Sequence, residues 1–113
     1  MIRKPQRGEV YWVDFDPARG SEQAGHRPAV VISVNSFNSR FPTVVVAAVT
    51  TTTKRSKLGV LLPAGQPCEQ ESMVMPWQVL TVDQSRLDGQ IGALNEEQVR
   101  ELNRTLMLCW GLT

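Results

Sequence analysis

Five side chains within seven positions, Ser21, Glu22, Gln23, His26 and Arg27, carry a hydroxyl, a carboxylate, an amide, an imidazole and a guanidinium. These are the groups with which proteins hold polar ligands and move protons. They lie in Gly20–Pro28, a polar stretch with Gly20, Gly25 and Pro28, between the apolar runs Val10–Phe15 and Ala29–Val34. Gly20–Pro28 therefore reads as a loop, and counted from Asp16 the connection takes about a dozen residues, a length that usually accompanies function. Pro28 fixes the backbone where the next strand starts and biases Arg27 toward an extended conformation. A second group follows Thr50–Thr53, where Lys54, Arg55 and Lys57 form a basic loop.

Charge is distributed unevenly around these groups. Residues 1–57 hold nine Lys or Arg against four Asp or Glu, whereas residues 58–113 hold three against seven, within a net charge of +1. The basic half contains both loops, which suits a partner bearing phosphates, although a solvated surface carries such charges equally well.

The elements that must position the loops read mainly as short strands. Glu9–Phe15, Ala29–Val34 and Gly59–Leu62 are β-branched, aromatic or apolar, and Thr43–Thr50 is apolar at nearly every position, as for a strand buried on both faces. Ser72–Met75 and Trp77–Val82 form one apolar stretch broken by Pro76, which points to a bulge or an edge. Gln90–Leu94 reads as a last strand, Asn35–Pro42 as a turn, Asp83–Asp88 as a turn or one helical turn, and Met1–Gly8 as a loosely held terminus. One helix is expected from Asn95, an N-cap with Gln98 three residues on, to Gly111. Val99, Leu102, Leu106, Cys109 and Trp110 share its inner face, while Met107 and Leu108 make the last turn apolar all round. Strands without intervening helices argue for a small, partly closed β-barrel and against a parallel βαβ arrangement.

With 42% hydrophobic and 20% charged residues over 113 positions, the chain suits one domain, 1–113, with its own core. No apolar run reaches the length of a membrane span, and the start lacks the apolar stretch of a signal peptide, so a cytoplasmic location is expected. Cys68 and Cys109 have no partner spacing for zinc or a disulfide framework, and no metal or other cofactor is expected.

Gly-Glu-Val-Tyr-Trp-Val-Asp-Phe-Asp-Pro at 8–17, Arg-Gly-Ser-Glu-Gln-Ala-Gly-His-Arg-Pro at 19–28 and Ala-Val-Val-Ile-Ser at 29–33 closely resemble the start of MazF/PemK-type toxins of bacterial toxin–antitoxin pairs. Val46–Thr50 resembles that family's third core strand with its terminal threonine, and Trp77–Asp83 with Arg86 and Leu87 its later strand and turn. The resemblance implies an SH3-like, CcdB/PemK-type barrel with a C-terminal α-helix, usually a homodimer. It implies a metal-independent endoribonuclease that cuts single-stranded RNA at short sequences and is restrained by a cognate antitoxin protein covering the RNA groove. It maps the catalytic pair onto Arg27 and Thr50.

RNA brings its own nucleophile: attack by the 2′-hydroxyl on the adjacent phosphorus needs a proton acceptor, a proton donor and positive charge where the phosphorane develops. Arginine suits the last task, because its planar fork matches two phosphate oxygens and stays charged. Thr50 can donate to a non-bridging oxygen, or simply cap a strand end. Ser21, Glu22, Gln23, His26 and Gln78 are candidate RNA contacts, and Lys54, Arg55 and Lys57 can steer the backbone. Trp77 and Tyr11 can stack on bases, although core burial is the first expectation for both. Two alternatives stay open: a toxin of the same fold that poisons DNA gyrase without cutting RNA, and a non-catalytic RNA- or protein-binding module.

Overall fold

The computed structural model describes residues 3–15, 25–51 and 56–112. Six strands, β1 (Glu9–Asp14), β2 (His26–Val31), β3 (Thr43–Thr50), β4 (Val60–Leu62), β5 (Ser72–Asp83) and β6 (Leu87–Ala93), form one sheet in the order β4-β5-β3-β2-β1-β6. Every pairing is antiparallel, and the sheet curls into a half-barrel with a C-terminal helix, as the strand pattern and the resemblance both imply. Helix α1 (Asn35–Arg40) joins β2 to β3, a 3-10 turn (Gln84–Arg86) joins β5 to β6, and α2 (Glu96–Cys109) follows β6.

The core explains why β3 is apolar throughout. Val44 and Val46 pack with Val13, Phe15, Ala29 and Val31, while Ala47 and Val49 pack with Val10, Val30, Leu62 and Leu102 of α2. A strand with a cluster on each face is apolar on both, and only Thr43, Val45 and Thr50 stay half-buried. Its partner β5 runs unbroken through Pro76, but the register slips: Ala47 faces Val79, whereas Val49 faces Val74. The slip is the bulge expected at this proline, and Trp110 Nε1 donates to the Pro76 carbonyl at 3.0 Å, clamping it to the end of α2. Helix α2 starts with the expected capping box, Asn95 accepting from Gln98 N at 2.8 Å and Gln98 Oε1 from Asn95 N at 2.9 Å.

Four expectations require correction. Strand β2 begins at His26, not Ala29, so His26, Arg27 and Pro28 are strand residues, because their backbone pairs with Asp14, Val13 and Trp12 of β1. Asn35–Arg40 is a helix although its asparagines and serines read as turn formers. What holds it is tertiary: the fully buried Asn38 donates to the carbonyls of Pro5 and Ser33 and accepts from Ser33 Oγ at 2.5 Å. The helical turn offered for Asp83–Asp88 is the 3-10 turn at Gln84–Arg86, but strand β6 already starts at Leu87, not at Gln90.

The fourth concerns the terminus, which is tied down from residue 3 onward. Glu9 is buried and its carboxylate accepts from Arg3, from Gln6 N at 2.6 Å and from the Tyr11 hydroxyl at 2.9 Å. Burial alone pushes the Glu9 carboxyl up, but these donors outweigh it and hold it below its ordinary value. Burial and the same carboxylate push the Tyr11 phenol up to about 12. Gly8, at φ +90°, donates to Val31 O and accepts from Leu94 N, joining the end of β2 to the residue that follows β6 in a conformation open chiefly to glycine.

Candidate functional site

The ends of β1 and β2 open onto a cleft of about 490 Å³. One wall carries His26 and Arg27, both exposed, with Pro28 behind them and Trp12 across from Pro28 on β1. Thr51, the residue after β3, also lines it. The connection between β4 and β5 contributes Pro67, Cys68, Glu69 and Gln70 to the same lining.

His26 Nε2 lies 2.9 Å from Asp88 Oδ2 of β6, with both side chains more than half exposed. The pair ties the beginning of β2 to the edge strand in a setting where water screens most of its energy. Arg86, in the preceding turn, donates to Asp14 O at 3.2 Å and so fixes the end of β1 against β6. Cys68 packs into the core beside Val10 and Leu102, and burial pushes its thiol up, a hydrogen bond with Ser72 opposing the shift in part. A thiol in that state is a poor nucleophile. Among the described residues no three His, Cys, Asp or Glu side chains are grouped so that they could hold a metal ion, and no helix is long and apolar enough to cross a membrane.

The strand order decides how Arg27 stands to Thr50. The last rung pairing β2 with β3 is Ala29 with Ala48; Arg27 and Thr50 each lie two residues beyond it, at the same end of the sheet. Thr50 is half-buried and pairs on its other side with Met73 of β5.

Residues 6–109 match the family model described as PemK-like, MazF-like toxin of type II toxin–antitoxin system. The chain belongs to this family. It is 32% identical over 110 residues to the endoribonuclease MazF of Staphylococcus saprophyticus, covering 95% of this chain and 92% of that one. The crystal structure of MazF from Deinococcus radiodurans superposes with a TM-score of 0.85 at 27% identity, covering 97% of this MazF-like toxin and 99% of its neighbour. An endoribonuclease in complex with its cognate antitoxin from a mycobacterial species has the same fold, with a TM-score of 0.83 at 24% identity and coverage of 96% and 97%.

Of the residues singled out from the sequence of this MazF-like toxin, the cleft brings together His26 and Arg27. Thr50 adjoins it through Thr51, while Gln78, half-buried in the β5 bulge, and the exposed Lys57 do not line it. Ser21, Glu22, Gln23, Lys54 and Arg55 lie outside the described residues. Tyr11 is half-buried and packs on the core, as expected, but Trp77 is 38% exposed because the bulge turns it off the ladder.

Trp12, Glu69 and Gln70 line the cleft without having stood out in the sequence. The signal for Trp12 was alternation: Val10 and Trp12 share a parity on β1, and Trp12 lies past the end of the core that covers Val10, at 45% exposure. Glu69 and Gln70 sit in an aperiodic connection, where only closure of the β4–β5 hairpin fixes what they face.

Proposed function

We propose that this MazF-like toxin is a sequence-specific endoribonuclease, over 1–113 as one toxin domain, acting on single-stranded RNA in the cytoplasm without a metal ion. The observation that supports it most is Arg27, a guanidinium exposed in a cleft and level with Thr50 at the same end of the sheet. In that position Arg27 holds two oxygens of the scissile phosphate and stabilises the charge that grows as the 2′-hydroxyl attacks. The Thr50 hydroxyl donates a hydrogen bond to a non-bridging oxygen. The P–O5′ bond breaks as the P–O2′ bond forms, the 2′-hydroxyl losing its proton and the leaving 5′-oxygen taking one up, so the products are a 2′,3′-cyclic phosphate and a 5′-hydroxyl. The lysines and arginines at 54, 55 and 57, with Ser21, Glu22, Gln23, His26 and Gln78, hold the strand.

The active form is a homodimer, and a cognate antitoxin restrains it by covering the cleft; the MazE–MazF structure from Deinococcus radiodurans and an endoribonuclease in complex with its cognate antitoxin from a mycobacterial species support an antitoxin as partner. Trp77, Leu80, Met107, Leu108, Trp110 and Leu112 are each at least 37% exposed along the end of α2 and the neighbouring strand, an apolar surface suited to a second copy. The test is purified protein with a single-stranded RNA in EDTA. Cleavage with cyclic-phosphate ends is expected; intact RNA would fit a gyrase poison or a binding module instead.

A further inference from the structure

The part of the cleft lining that comes from the β4–β5 connection is built more firmly than a surface connection requires. Gln98 of α2, itself buried, donates to Gln66 O at 2.9 Å; Gly65 N donates to Cys68 O at 2.6 Å; and Ser72 Oγ donates to Gln70 O at 2.7 Å. Cys68 is sunk in the core, and Pro67 lies so close to β6 that a Cβ on Gly92 would come within 2.6 Å of its ring. Yet Glu69 and Gln70, which this scaffold presents to the cleft, have no side-chain hydrogen bond or ion pair among the described residues. A rigid backbone that displays an unpaired carboxylate and amide beside the exposed ring of Trp12 has the makings of a recognition surface, because the entropy of ordering it is already spent before a ligand arrives.

We propose that Trp12, Glu69 and Gln70 form a subsite that selects one guanine base of the RNA, an assignment that rests on the endoribonuclease reading above. Unstacked bases of single-stranded RNA are held by aromatic rings and read along their Watson–Crick edges. A carboxylate offers two acceptors side by side. Among the four bases only guanine places two donors side by side, N1–H and the 2-amino group; adenine and cytosine pair one donor with an acceptor, and uracil flanks its single donor with carbonyls. Glu69 therefore takes guanine in a bidentate pair while Trp12 supports the ring, and Gln70 is left for the guanine carbonyl or a neighbouring 2′-hydroxyl.

The experiment is a cleavage-site profile of the full chain on a randomised single-stranded RNA, repeated with Glu69→Gln and Trp12→Ala. The wild-type protein is expected to show guanine at one fixed position around the cut, and inosine there, which lacks the 2-amino group, should lower kcat/KM about tenfold. Glu69→Gln replaces one acceptor by a donor, so preference at that position should move from guanine toward adenine or cytosine, whose edges pair one donor with one acceptor, and the inosine penalty should vanish. Trp12→Ala should raise KM about tenfold without changing the preferred base. A wild-type enzyme that cuts RNA with a profile untouched by Glu69→Gln overturns this assignment alone. A wild-type protein that cuts no RNA overturns the endoribonuclease reading and the subsite with it.

Discussion

Arg27 on β2 and Thr50 on β3 lie equally far, two residues, beyond the Ala29–Ala48 rung that ends the pairing of their strands. Twenty-three positions apart in the chain, they are brought to the same end of the sheet by β2 and β3 running antiparallel as neighbours. The relationship makes Arg27 the first residue to vary. Arg27→Ala is expected to keep the fold, since the side chain is exposed, and to lower single-turnover cleavage by about 10²-fold or more, the scale of losing one transition-state donor. Arg27→Lys separates charge from geometry: partial rescue means that charge dominates over the planar fork. A normal rate in Arg27→Ala would remove the residue from catalysis.

The nucleophile is tested on the substrate. A single 2′-deoxy substitution at the cut site should leave the strand intact in a gel assay while barely changing its affinity, because it removes the attacking oxygen and no phosphate. Cleavage of that strand would rule out 2′-hydroxyl attack.

Stability toward pH depends on the buried Glu9. Its carboxyl lies below the ordinary value of 4.5 in the folded chain, so its contribution is present at neutral pH and is lost as pH falls below 4.5 and through the folded value. At the other end, the Tyr11 phenol rises from 10.0 to about 12 on folding, so its contribution is present below pH 10 and is lost between 10 and 12. Denaturant melts across pH should show both losses. Tyr11→Phe should cost about 1 kcal/mol at pH 7, the usual worth of a hydrogen bond, and abolish the alkaline loss.

The proposed homodimer uses the apolar end of α2. Leu108→Glu should shift a dimer to a monomer in sedimentation at micromolar concentration, with the circular dichroism of the fold retained, since Leu108 is 45% exposed in the single chain. A wild-type protein already monomeric there would count against the homodimer.

The capping box gives a prediction of stability alone. Asn95→Ala removes the acceptor for Gln98 N and should cost about 1 kcal/mol, read as a fall in melting temperature of several degrees, with cleavage of RNA unchanged.

What could be read from residues alone was whatever depends on near neighbours. β3 follows from its unbroken apolar run, α2 from its cap and 3.6-residue spacing, the bulge from Pro76, and the family from the motifs around Arg27. What only the tertiary structure decided depends on partners distant in the chain. Asn38 turns a run of turn formers into α1 because its amide finds the carbonyls of Pro5 and Ser33, and the terminus is held because Glu9 needs donors once it is buried. The cleft belongs with these. Trp12, His26, Arg27, Glu69 and Gln70 share no periodicity, and they line one cleft only because the sheet curls and β4–β5 closes against α2, where burial of Cys68 and Leu102 outweighs the cost of ordering the connection.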